Sequence, residues 1–130
     1  MKYFEFGREH PELMVMLHGG GVSCLGMLPT AKKLAERYHV VLVAYDGFNP
    51  SEPETEFVSP MDEARHISDY VVEHYGGKIG ILYGISYGCR VLMEVLADKR
   101  LTITTTVTDG MGLKDHPDIK SKCGKDVYLP

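Results

Sequence analysis

Ser86 stands between two glycines in the stretch Gly84-Ile85-Ser86-Tyr87-Gly88, directly after the strand-like run Lys78 to Tyr83 and directly before a helix-like run, Tyr87 to Lys99. A serine hydroxyl held at so tight a turn could act as a nucleophile on a carbonyl carbon. Glycine two positions before and two after it removes side chains that would collide with neighbouring backbone, and it tolerates unusual dihedrals. The hydroxyl then stands clear at a helix N-terminus, where the dipole favours a developing oxyanion. A second loop, His18-Gly19-Gly20-Gly21, follows the apolar run Leu13 to Leu17 and also precedes a helix. Successive glycines let backbone N–H groups turn toward one point. Gly20 or Gly21 could supply one donor to an oxyanion, and the N–H of Tyr87 the other.

Both motifs have blander readings. The first could be a chance arrangement in a glycine-containing chain, and the second a plain connector. A dinucleotide-binding turn is a further alternative for the second, because Asp46 ends the next strand. That reading needs a third glycine where Cys24 stands, and it leaves the Ser86 turn unexplained.

The elements that must hold these loops read as alternating strands and helices joined by short glycine-bearing turns, the pattern of a mostly parallel sheet flanked by helices. Residues 2–6 suggest a short edge strand, and Leu13 to Leu17 a strand covered on both faces. A helix is expected from about Leu25 to Tyr38, with Leu28, Ala31, Leu34, Ala35 and Tyr38 on one face. Val40 to Tyr45 is a second buried strand, followed by an irregular loop holding Pro50, Ser51 and Pro53. The next helix starts with Ser59 as N-cap, Pro60 in the first position and Asp62 completing a capping box. Its apolar stripe comprises Met61, Ala64, Ile67, Val71, Val72 and Tyr75, and Gly76-Gly77 ends it. The helix after Ser86 turns Val91, Leu92, Val95 and Leu96 inward, and the β-branched run Thr102 to Thr108 is a further core strand. Past Asp109-Gly110 the sequence becomes polar and lysine-rich.

The chain's 130 residues fit one domain, 1–130, with its core in 13–110 and a polar tail in 111–130. With 14 basic and 18 acidic residues it carries a net charge of −4, and no basic patch interleaved with aromatics points to nucleic acid. Its apolar runs are too short for a membrane span, and the N-terminus does not read as a signal peptide. Cys24, Cys89 and Cys123 have neither paired nor metal-ligand spacing, so a reducing, cytoplasmic setting without metal or cofactor is expected.

Taken together, the two motifs resemble those of the α/β-hydrolases, of the lid-bearing esterase, lipase and peptidase-like kind, over about Leu13 to Gly110. The resemblance implies a truncated α/β-hydrolase fold, three layers deep (αβα). Gly84 to Gly88 would be the nucleophile elbow, with Ser86 as nucleophile and the His18 loop as the oxyanion loop. In that loop His18 braces the glycines instead of serving as base. Members of the family carry the triad in the order serine, acid, histidine, and a lid often begins where this sequence turns polar. Asp109 and His116 satisfy the order nominally. The segment between them spans up to about 23 Å when extended, so reach permits the pairing while nothing in the polar tail obviously holds the imidazole.

Three functions compete. The first is a serine hydrolase acting on a small-molecule carboxylic ester, thioester or amide, its proton carried by His116 or by a histidine of another chain. The second is a catalytically incomplete hydrolase unit serving as a binding module, whose bare Thr102 to Thr108 edge invites self-association. The third is a nucleotide-binding α/β module, which NAD or FAD would stabilise.

Overall fold

β2 (Leu13–Leu17) is buried at every residue because the sheet is built outward from it. In the computed structural model, which describes residues 1–20, 23–110 and 127–128, β2 pairs in parallel with β3 (His39–Ala44) on one edge and with β4 (Lys78–Ile85) on the other. β5 (Thr102–Asp109) continues the parallel sheet beyond β4. β1 (Lys2–Phe6) closes the other side, antiparallel to β3. A two-residue strand, β6 (Val127–Tyr128), pairs with β5 at Thr106 and Val107, giving the order β1-β3-β2-β4-β5-β6.

The period-two alternation of a strand divides the core between the two faces. Leu13, Val15, Leu17, Val41 and Val43 pack with Ala64, Ile67 and Val71 of α2 (Pro60–Tyr75) and with Val91, Leu92, Val95 and Leu96 of α3 (Gly88–Ala97). Met14, Met16, Val40, Leu42 and Ala44 face the opposite way, toward Cys24 and toward Ala31 of α1 (Leu28–Leu34). The three layers read from the sequence are present.

Several local expectations need correction. The helix expected over Leu25 to Tyr38 is two pieces, a 3-10 turn over Cys24–Met27 and then α1. Pro29 lies in the first turn of α1, where its missing N–H costs nothing but would have broken a continuous helix. After Leu34 the chain tightens into turns, with Glu36 N–H on Lys33 O at 3.2 Å and Arg37 N–H on Leu34 O at 3.0 Å. In α2, Ser59 accepts the Asp62 N–H at 3.0 Å as expected of the cap, but the Asp62 carboxylate is engaged by Arg65 at 2.7 Å. The inward face of α2 includes Glu63 and Ser68, whereas Met61 and Val72 are exposed. The helix is set by the α3 groove it packs into, which turns it away from the purely apolar stripe.

Candidate active site

The Ser86 turn joins β4 to α3, and its backbone is strained in the way the sequence suggests. Ser86 has φ +50°, the single positive value at a non-glycine position among the described residues. A side chain is rarely tolerated there unless the surroundings enforce it. Enforcement comes from both flanks: the Ser86 N–H donates to Asp109 O at 2.8 Å, and Ser86 O accepts from Cys89 N–H at 3.0 Å. The side chain itself is exposed.

Packing explains both glycines. A Cβ on Gly88 would lie 2.5 Å from Leu17 O and 2.6 Å from His18 O, so the start of α3 rests directly on the end of β2. On Gly84 it would meet Gly88 O and the Leu92 methyl at 3.0 Å. This close approach joins the two loops that the sequence separates widely. A Cβ on Gly20 would sit 3.1 Å from the Tyr87 Cβ, so Gly20 and Tyr87 are immediate neighbours. Gly21, the other donor considered, lies outside the described residues.

His18 is buried and its ring nitrogens are occupied. Nε2 accepts the Tyr45 N–H at 3.3 Å, which leaves Nδ1 to donate to Gly19 O at 2.8 Å. Its ring lies 4.0 Å from that of Tyr45, centroid to centroid. His18 thus ties the glycine loop to the end of β3. The other described histidines lie elsewhere: His10 precedes β2, His39 begins β3, and His66 and His74 are on α2. His116 lies outside the described residues, as does Cys123.

Asp109 ends β5 beside the turn. Its Oδ2 accepts from the Tyr83 hydroxyl at 3.3 Å, and its carbonyl holds Ser86. Burial, and then the Asp109 charge, push the Tyr83 phenol up. Beneath the turn, the Cys89 thiol donates to Gly84 O at 3.2 Å and is itself pushed up by burial, which leaves little thiolate. Cys24 is buried and pushed up for the same reason.

Two parts of the site escaped the sequence reading. Phe57, in the loop before α2, places its ring 5.9 Å from Tyr87 and 5.4 Å from Phe48, forming an aromatic wall beside the Ser86 turn. Glu63 is buried behind Asp46. Its place four residues before Ile67 and eight before Val71 is the signal that marks it as inward-facing. No group of three or more His, Cys, Asp or Glu side chains among the described residues is arranged to hold a metal ion. Nor is any described helix long and apolar enough to cross a membrane. A cleft of about 400 Å³ opens at the opposite end of the sheet, lined by Glu12, His39, Tyr75, Lys78 and Thr102. Open α/β sheets bind ligands at the carboxyl ends of their strands, where Ser86 is.

The fold is shared with solved hydrolases. A putative alpha/beta hydrolase family protein from Desulfitobacterium hafniense superposes with TM-score 0.76 at 22% identity, covering 84% of this chain and 44% of its own. MenH from S. aureus gives TM-score 0.65 at 18% identity, with 82% and 40% covered. The epoxide hydrolase CorEH gives 0.68 at 19%, with 82% and 36% covered. The chain therefore spans less than half the length of these structures. No curated protein sequence matches it. Residues 14–123 match the Alpha/beta hydrolase family, and the chain belongs to that family.

Proposed function

We propose that this chain carries the nucleophile and oxyanion-binding half of a serine hydrolase that transfers an acyl group from a small carboxylic ester, thioester or amide to water. The observation that carries this reading is the enforced positive φ of exposed Ser86, with Gly20 packed against Tyr87 next to it. Ser86 Oγ attacks the carbonyl carbon while its proton passes to a histidine. The backbone N–H groups of Tyr87 and of Gly20 or Gly21 receive the oxyanion. The alcohol, thiol or amine leaves with that proton, and water then releases the acid and restores Ser86. The bonds made by His18 remove it as base. Asp109, steadied by Tyr83, is the acid available at the elbow, and His116 or a histidine from another chain is the base. Phe57 and Tyr87 offer the acyl group an aromatic wall. No cofactor is invoked.

A fluorophosphonate tests the proposal, since it phosphonylates only an activated serine. Intact mass should show stoichiometric addition to the chain and none to Ser86→Ala. A folded sample that remains unlabelled would overturn catalysis by this chain on its own and favour the second reading, a binding module. That reading draws on the outer edge of β5, which among the described residues pairs with β6 at Thr106 and Val107.

A further inference from the structure

Glu63 has no exposed surface, yet it lies in the first turn of α2 facing the end of β3. Its Oε2 accepts the Asp46 N–H at 3.4 Å, and Oε1 has no hydrogen-bond partner among the described residues. A buried carboxylate so poorly supplied with donors is costly in its charged form. The groups around it do little to relieve that cost. The Asp46 carboxylate faces it from the loop after β3, and Asp62 from its own helix. The Met1 amine favours the charged form but is itself paired with Asp46 and lies 3.9 Å from Glu52. The Tyr3 and Tyr45 phenols, in β1 and at the end of β3, are both pushed up by burial and by the charge of Glu63. From the α3 side, Cys89 and Tyr87 act on Tyr45. His66 approaches Asp46, at 3.8 Å. Burial first, and Asp46 next, push the Glu63 carboxyl up to about 7.

The contacts leading away from Glu63 end at the oxyanion loop. Asp46, whose amide it holds, follows Tyr45. The Tyr45 N–H is bonded to His18, and His18 is bonded to Gly19. We infer that Glu63 is a positioning residue, and that the proton it carries sets the placement of the Gly19-Gly20 loop through Asp46, Tyr45 and His18. Protonated, Glu63 sits beside Asp46 without repulsion and the loop stays against Tyr87. Ionised, it repels Asp46, and the Tyr45-Asp46 step to which His18 is bonded must give. The role assigned to Gly20 rests on the hydrolase reading; the movement itself does not.

Backbone amide NMR of the whole chain, titrated from about pH 5 to about pH 9 across the histidine range, tests the coupling. The Tyr45, Asp46, Gly19 and Gly20 amides should shift together with a midpoint of about 7. The common transition should vanish in Glu63→Gln and persist in His66→Gln. Amides that titrate independently, a transition that survives in Glu63→Gln, or one that disappears in His66→Gln would each overturn the inference. If Glu63→Gln fails to fold, the side-chain carboxyl carbon of Glu63 in the natural sequence decides: an ordinary carboxylate midpoint overturns it, and one near neutrality supports it. Fluorophosphonate labelling below neutral pH is read separately. Its absence would remove the hydrolase reading while the amide titration still decides whether Glu63 moves the loop.

Discussion

Gly84 and Gly88 flank the same serine, but their surroundings differ in how far they can yield. A methyl on Gly88 would press on two carbonyl oxygens, Leu17 O at 2.5 Å and His18 O at 2.6 Å, and both belong to backbone at the end of the central strand. On Gly84 the tightest contacts, at 3.0 Å, include the end of the flexible Leu92 side chain. Gly88→Ala should therefore cost about 3 kcal/mol, in the range of severe overpacking. It should also abolish Ser86 labelling, because relief of the clash separates α3 from β2. Gly84→Ala should cost about 1 kcal/mol, the low end of overpacking. Urea denaturation of the two variants beside the natural chain measures the difference, and equal costs would refute the distinction.

Among the elements, α2 shows most clearly what local sequence can and cannot specify. Its start is defined chemically, by the Ser59 hydroxyl on the Asp62 N–H and by Pro60 where no N–H is needed. Its end is defined by Gly76, with φ +63° in the left-handed cap. Ser59→Ala should accordingly destabilise the protein by about 1 kcal/mol, read from the urea midpoint. These end signals act within a few residues, so the bounds of α2 were legible in the sequence. So were the strand runs and the inward residues of α3, where apolar periodicity and burial coincide. The facing of α2 was legible only in its spacing, which sets Glu63 on the side of Ile67 and Val71, and not in its apolar composition, because which groove receives the helix decides the rest. Met61 matches the apolar period and is exposed, whereas Glu63 breaks it and is buried. The candidate site divides the same way. Ser86, Gly20 and Tyr87 could be read from motif chemistry, but the contact of Phe57 with Tyr87 exists only once the loop after β3 folds toward the start of α3.

For the whole molecule, carboxyl groups with opposite shifts give stability two pH limits. Burial pushes the Glu5 carboxyl up, but hydrogen bonds from Tyr70 and Tyr75 outweigh it and leave Glu5 below the ordinary range. Its contribution is present above the unfolded-state pKa and is lost as pH falls through the lower folded value. Glu63 acts in the opposite sense. Folding favours its protonated form, so its contribution is fullest below about 4.5 and is lost as pH rises to about 7. Glu63→Gln should thus match the natural chain in acid and exceed it at mildly alkaline pH, by up to about 3 kcal/mol. Urea midpoints across that range measure the gap, and a constant gap would contradict it. At the same scale, the edge of β5 away from β4 is paired among the described residues with β6 at Thr106 and Val107, and the rest of that edge is where another strand would dock. Concentration-dependent association in sedimentation should be seen and should weaken in Thr104→Lys; a monomer at all concentrations would exclude this edge as an interface.

The place of β2 between β3 and β4 also sets a timetable for folding. β3 can reach β2 after one short crossover, but β4 arrives only after the loop and the whole of α2 have been made. Closing the longer connection costs more chain entropy and comes later. Until then β2 holds one neighbour and offers its other edge to any strand that passes. The glycine loop follows β2 and can take its place on that half-finished sheet, whereas the serine turn needs β4, and the bond that holds its Ser86 N–H needs β5 as well. A chain interrupted between those two events would display the glycine loop without the serine turn that packs against it.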